Sequence, residues 1–206
     1  MEPFLLLYAA DLRELPADRL LAAAEALPEA RLKKLRAFRR EEDKLRCAAA
    51  GLLLRRALET LGADDRSFAY AADGRPVLTA RPELFLSLTH SGDYAAALVS
   101  GEPASVDVER YGGLREPVLR RVFTGAEQRF VRASADTEAA FCELWSRKEC
   151  LIKLDASLTP LRAEALTPAP GRRFFSFSLP GCSFVVCAPA NADCAPRFLS
   201  AGELLV

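Results

Sequence analysis

Hydrophobic spacing along this 206-residue chain alternates between the helical and the strand period, and does so twice. After a short strand pattern from Phe4 to Tyr8, apolar residues recur at helical spacing in three segments: Pro16 to Ala26, Glu29 to Phe38 and Glu41 to Leu61. The third is the strongest, with Leu45, Ala49, Leu52, Leu53 and Ala57 on its ridges and Gly62 as a stop. From Phe68 the pattern turns strand-like: Phe68 to Tyr70, Pro76 to Leu78, Leu84 to Leu88, Tyr94 to Ser100 and Ala104 to Val108, divided by Asp73-Gly74, Ser91-Gly92 and Gly101 turn signals. Helices return after Gly113. Thr124 and Glu127 form a capping-box pair for a helix to about Ala133, and Asp136 or Thr137 caps another to about Leu154. Arg173 to Leu179 and Cys182 to Ala188 then flank Pro180-Gly181 as in a hairpin. This order predicts an α+β fold of two similar-sized lobes, residues 1–102 and 103–206, with a seam near Gly101 to Ala104. No long linker separates them, so they should share an interface.

Composition narrows the function. Half the residues are hydrophobic, which predicts a packed core, and 28 basic residues balance 28 acidic ones. Zero net charge argues against bulk attraction to nucleic acid or membrane. Locally the balance differs: ten basic residues against three acidic fall between Arg31 and Arg56, which suits a solvated helix face or a rim for a polyanion. Six cysteines include no Cys-x-x-Cys pair and His90 is the single histidine, so a zinc site of ordinary spacing is not expected. Glu2 and a short apolar run do not make a secretion signal, no run is long enough to span a membrane, and free thiols in a reducing cytoplasm are expected.

Three segments carry chemistry. In Ser105-Val106-Asp107-Val108-Glu109, strand alternation puts Asp107 and Glu109 side by side with the valines opposite. Adjacent carboxylates suit a hard divalent cation, although an exposed strand face has the same alternation. In the helical segment 141–154, Phe141, Leu144, Trp145, Leu151 and Ile152 form an apolar stripe into which Lys148 and Glu149 intrude. Glu149 and Lys153 are four apart, either a plain helix ion pair or a metal ligand (or base) beside a phosphate contact. In the segment 87–94, Thr89, His90 and Ser91 end a strand before Gly92 and offer side chains and main-chain N–H groups to a phosphate. No Gly-x-Ser-x-Gly, Gly-x-x-x-x-Gly-Lys or Gly-x-Gly-x-x-Gly motif is present.

Together these segments resemble the phosphopantetheinyl transferase superfamily. Its Gly-x-Asp-x-Glu strand corresponds to residues 105–109, and its Trp-x-x-Lys-Glu-(Ala/Ser)-x-x-Lys helix to Trp145, Lys148, Glu149, Cys150 and Lys153. Upstream, Gly74-Arg75-Pro76 and Thr89-His90-Ser91 are similar to the Gly-Lys-Pro and Ser-His-Ser elements of the larger class, and Asp43 with Arg46 matches an Asp-x-x-Arg context. The resemblance covers roughly residues 40–155. Ser105, Cys150, Thr89 and Arg75 depart from the family pattern, and Ser105 matters if the backbone there needs a glycine.

The resemblance implies the larger, surfactin-synthetase-type class: two lobes related by pseudo-two-fold symmetry, usually monomeric, with the site in the cleft between them. It implies a cytoplasmic enzyme that transfers the phosphopantetheine arm of coenzyme A to a serine of an acyl or peptidyl carrier protein, an acidic helical bundle. Magnesium would be held by Asp107, Glu109 and Glu149, with Glu149 also the candidate base. Lys153 would contact the pyrophosphate, and Arg46, Arg75 and His90, with Thr89 and Ser91 secondary, would hold coenzyme A phosphates. The alternatives are a coenzyme A-binding member that does not transfer the arm, suggested by Ser105 alone, and a binding module using the basic helix.

Overall fold

The computed structural model describes residues 4–205. Strand β1 (Leu5–Asp11) leads into helices α1 (Ala17–Ala24), α2 (Glu29–Ala37) and α3 (Glu41–Thr60). Strands β2 (Phe68–Tyr70), β3 (Pro76–Leu78), β4 (Phe85–Ser91), β5 (Tyr94–Ser100) and β6 (Ser105–Arg110) follow. Then come α4 (Glu116–Val122), α5 (Gly125–Ala133), α6 (Thr137–Leu154), β7 (Arg172–Leu179), β8 (Cys182–Pro189), β9 (Arg197–Phe198) and α7 (Ala201–Leu204). The expected α+β class is observed. No helix among the described residues is long and apolar enough to cross a membrane.

The strands form a four-stranded sheet in the order β4-β5-β1-β9, a three-stranded sheet in the order β6-β8-β7, and the small β2-β3 pair. Every residue of β5 is buried because both of its faces are covered. Ala95, Ala97 and Val99 pack toward α3, while Tyr94, Ala96 and Leu98 meet Val106, Val108, Phe184 and Val186 of the second sheet. The other face of β8, through Val185 and Cys187, lies against Cys150 of α6. The layers are therefore helix, sheet, sheet, helix, and period-two alternation in β5 and β8 is what lets single strands serve two cores. Helix α3 is the deepest element. Cys47, Ala48, Ala49, Ala50, Leu52, Leu53, Leu54, Ala57 and Leu58 are all buried, so it is apolar nearly all round. At Gly51 a Cβ would meet Leu27 Cδ1 at 2.7 Å, which shows how closely the connection between α1 and α2 lies on it.

Element boundaries mostly follow the spacing, with two informative differences. Strand β4 continues through Ser91, so Thr89, His90 and Ser91 are ladder residues opposite Ala96, Ala95 and Tyr94 rather than a junction. The turn is made by Gly92, at φ 56°, and Asp93. The tail holds more than the Pro180-Gly181 hairpin, because β9 pairs in parallel with β1 and so returns the C-terminal segment to the first sheet. All six cysteines are free and buried.

Candidate functional site

The edges of the two sheets meet at β4 and β6, and α6 crosses beside them. There the strand alternation of β6 turns Val106 and Val108 into the shared core and leaves Asp107 and Glu109 toward α6. Asp107 is buried. Its Oδ1 accepts from Lys153 Nζ at 2.8 Å and from the Thr89 hydroxyl at 3.2 Å. Its Oδ2 is buried without a hydrogen-bond partner among the described residues. Lys153 also donates to the carbonyl of Val106 at 2.8 Å. Glu109 is held by Arg115 at 3.1 Å, and among the described residues Glu149 receives no hydrogen bond.

Electrostatics set these groups apart. Burial pushes the Glu149 carboxyl above its ordinary range, with the Asp107 charge adding to it and Lys153 opposing. Burial likewise raises Glu109, again reinforced by Asp107 and countered by Arg115. Burial opposes the Lys153 ammonium, but Asp107, Cys150 and Glu149 outweigh it and its pKa rises. The Asp107 charge thus acts on both Glu109 and Glu149, while Lys153 is bonded to Asp107 itself.

These groups suit a hard divalent cation. A buried carboxylate oxygen without a partner, beside two carboxyls raised by burial and then by the Asp107 charge, is a donor set that a divalent cation would satisfy. Among the described residues no three His, Cys, Asp or Glu side chains are already drawn together as a closed ligand set. Magnesium does not require one, since it commonly takes one or two carboxylates and completes its shell with water and substrate phosphate.

Next to the carboxylates the cleft is cationic. A cavity of about 310 Å³ is lined by Arg31, Lys34, Tyr70, Arg75, Ile152 and Lys153, among others. A second, of about 430 Å³, is lined by Arg40, Arg46, His90, Ser91 and Arg110, with Glu42 and Asp43 at its rim. His90 lies within the fields of both groups. Burial first, then Arg31, Lys34, Arg46 and Lys153, push its pKa down from 6.5 to about 4. A third cavity, of about 390 Å³ at the far end of β5, is lined by Phe4, Glu102, Asn191 and Asp193 and has no lysine or arginine, so it does not suit a polyphosphate.

The structure separates the sequence-derived candidates. Arg75 and Lys153 share one cavity, and Arg46, His90 and Ser91 share the other. Arg75 is tied to Asp73 at 2.7 Å across the β2-β3 turn. Arg46 is already engaged, donating to the Gly92 carbonyl and to Asp43, each at 2.7 Å, so it braces the β4-β5 turn beside His90. Thr89 is buried and lines neither cavity. His90 and Thr89 are neighbours in a strand and so project to opposite faces. His90 meets Phe38 edge-on at 6.1 Å, whereas Thr89 meets Asp107.

Arg31 stood out in the sequence only as the start of a basic run. In the structure it is 3 % exposed, with no carboxylate partner among the described residues: it donates to the Cys47 carbonyl at 2.6 Å and to the Tyr70 hydroxyl at 2.7 Å, and its Nε is unsatisfied there. Its signal was its position four before Leu35 and next to Leu32 on α2, an arginine on the buried side of a helix. Ser105 needs no glycine conformation. No residue other than glycine has a positive φ among the described residues, and the Ser105 hydroxyl donates to the Cys150 carbonyl at 2.8 Å. Two departures from the family signature are therefore in contact, because Cys150 Sγ also lies 3.8 Å from the Ser105 carbonyl oxygen.

Fold and cleft define an α+β protein with a cationic seam beside buried and half-buried carboxylates. Residues 105–173 match the model of the 4'-phosphopantetheinyl transferase superfamily, which includes β6 and α6. A protein named 4'-phosphopantetheinyl transferase from Bacillus subtilis is 28 % identical over 141 residues, covering 66 % of this chain and 62 % of the relative. The 4'-phosphopantetheinyl transferase psf-1 of Bacillus pumilus is 34 % identical over 89 residues, 42 % of this chain and 38 % of its own. The AcpT transferase of Salmonella typhimurium is 32 % identical over 110 residues, 51 % of this chain and 55 % of its own. The chain thus spans less than two thirds of the length of these relatives. Over these stretches the chain is similar to members of the 4'-phosphopantetheinyl transferase superfamily.

Proposed function

We propose that this protein transfers the 4'-phosphopantetheine arm of coenzyme A to a serine of an acyl or peptidyl carrier protein, releasing adenosine 3',5'-bisphosphate. The single observation that carries this reading is the excess of cations, Arg31, Lys34, Arg75 and Lys153, around one cavity directly beside Asp107, Glu109 and Glu149. A pyrophosphate needs the first group and a divalent cation needs the second. We assign the chain to the larger class, with two lobes of pseudo-two-fold relation, residues 1–102 and 103–206, acting as a cytoplasmic monomer.

Arg31, Lys34, Arg75 and His90 hold coenzyme A phosphates by charge and hydrogen bonding, with Arg46 setting the turn beside them. Asp107, Glu109 and Glu149 are the residues that would hold magnesium, which when bound offsets charge on the pyrophosphate oxygens. The serine Oγ attacks the phosphorus nearest the pantetheine, the bond from that phosphorus to the bridging oxygen breaks, and adenosine 3',5'-bisphosphate leaves. The serine proton passes to Glu149, whose raised pKa makes it a stronger base than an ordinary carboxylate. Lys153 leaves Asp107 to meet the charge that builds on the leaving phosphate. A carrier protein of acidic surface suits the basic stretch that begins at Arg31.

Intact-protein mass spectrometry of an apo carrier protein, incubated with this chain, coenzyme A and magnesium, tests the reading. One added phosphopantetheine arm is expected, and its loss on chelation. Coenzyme A binding without transfer to any of several carriers would favour the non-transferring alternative, and no coenzyme A binding would sink both.

His90 gives a second test. Its folded pKa of about 4 lies below the usual 6.5, so the folded state resists protonation more than the unfolded chain does. Stability is therefore fully present above pH 6.5 and falls as the pH drops toward 4, by roughly 2–3 kcal/mol. Urea denaturation of wild type against His90→Gln should show a stability difference that is constant above pH 6.5 and moves against wild type as the pH falls from 6.5 toward 4, and a pH-independent difference would refute it. Coenzyme A should raise the His90 titration midpoint, read by NMR.

A further inference from the structure

Strand β6 is the edge of its sheet: it pairs with β8 on one side and, among the described residues, with no strand on the other. A buried edge leaves main-chain N–H groups that must find acceptors. Here they find hydroxyls. Val106 N–H donates to Ser87 Oγ at 3.1 Å, Val108 N–H to Thr89 Oγ1 at 3.0 Å, and Arg110 N–H to Ser91 Oγ at 3.0 Å. The three hydroxyls come from alternate residues of β4, and the three N–H groups from alternate residues of β6. Side chains thus replace main-chain carbonyls in a ladder that joins the two sheets.

The middle rung differs from the others. Thr89 Oγ1 accepts from Val108 N–H and donates its own proton to Asp107 Oδ1, 3.2 Å away. One hydroxyl therefore fixes both the backbone just after Asp107 and one of its carboxylate oxygens. That oxygen also takes Lys153, while Oδ2 is left without a partner. A phosphate contact is a poor fit to Thr89, since both its hydrogen-bonding roles are filled and it is 7 % exposed.

We propose that Thr89 is a positioning residue for Asp107: by holding Oδ1 and the adjacent main chain it presents Oδ2 to the metal, and it does not contact coenzyme A. This rests on the transferase reading above. Loss of a hydrogen-bonding partner behind a metal ligand commonly costs about 10- to 100-fold in metal affinity or activity.

The test titrates Mn2+ onto the full chain with saturating coenzyme A, followed by electron paramagnetic resonance, together with transfer kinetics. For Thr89→Val the expected result is at least about tenfold weaker Mn2+ binding and a similar fall in kcat, with KM for coenzyme A near that of wild type. Thr89→Ser should restore both. Should the valine variant not fold, Thr89→Cys, with its weak donor, should lie between serine and valine in Mn2+ affinity. Ser87→Ala breaks another rung away from the carboxylate, and is expected to lower the unfolding midpoint while keeping wild-type Mn2+ affinity. Wild-type Mn2+ affinity in the valine or cysteine variant, a higher KM for coenzyme A as the main effect, or an equal loss of Mn2+ binding in Ser87→Ala would each overturn the proposal. A wild-type chain that transfers the arm but fails only in these variant comparisons leaves the transferase reading standing. A wild-type chain that binds neither coenzyme A nor Mn2+ overturns both.

Discussion

Replacing Lys148 by methionine is expected to destabilise the protein by about 3–5 kcal/mol, the scale for stranding one member of a buried ion pair. Lys148 and Glu127 are both fully buried and lie 2.9 Å apart. Lys148 also donates to the Ala163 carbonyl and sits 5.4 Å from the centroid of the Phe123 ring. Glu127 accepts the Ala165 N–H at 2.8 Å and closes the Thr124 capping box at the start of α5. The pair therefore ties α5, α6 and the segment after α6 together, and α6 carries Glu149 and Lys153. With methionine in place, the Glu127 carboxylate stays buried with its main-chain donors but without its cation. The double variant Glu127→Gln with Lys148→Met removes both charges and should recover a good part of the loss. Chemical denaturation measures it, and a single variant within about 1 kcal/mol of wild type would mean the pair is not the anchor described.

Asp107→Asn should be the most damaging conservative change for turnover, by about 100- to 1000-fold, with the fold retained. Asparagine keeps the shape and can still accept from Lys153 and Thr89, so the strand and the seam should hold. It removes the charge at Oδ2, a buried carboxylate oxygen with no partner among the described residues. It also relieves Glu109 and Glu149, both of which Asp107 pushes upward, so the acid limb of the remaining activity should move to lower pH. For wild type that limb is expected above 4.5, the ordinary value for a glutamate, because the Glu149 carboxyl must lose its proton before it can take another. Rates measured across pH for both proteins decide this. Near-normal turnover in Asp107→Asn, or a limb that does not move, would remove Asp107 from the metal and electrostatic role assigned to it.

Much of the fold was legible because its signals are local. The apolar spacing from Glu41 to Leu61 marked a buried helix, alternation marked β5 and β6, and Thr124 with Glu127 marked a helix start. The carboxylate strand and the Trp145 to Lys153 helix were legible for the same reason: strand and helix periods place Asp107 beside Glu109, and Glu149 beside Lys153. Thr89, His90 and Ser91 were read as one phosphate-binding group, although strand alternation separates His90 from the other two. The spacing alone already contained that separation once β4 was known to run through Ser91.

Other features had no local signal. Lys148 looked like an interruption of an apolar stripe, and Glu127 like half of a capping box. That they neutralise each other depends on how α5 and α6 pack. Ser105 looked like a misplaced glycine until the carbonyl of Cys150 was brought to its hydroxyl. Arg31 was one of ten basic residues until Gly51 allowed close packing that buried it against Cys47. The sequence by itself determined the order of elements, the face each side chain takes on its own helix or strand, and the residue types offered at the seam. Only the tertiary structure decided which of those groups lose water and which partners they gain, because desolvation and pairing are set by chain segments far apart in sequence, whereas periodicity is written within a few turns of one element.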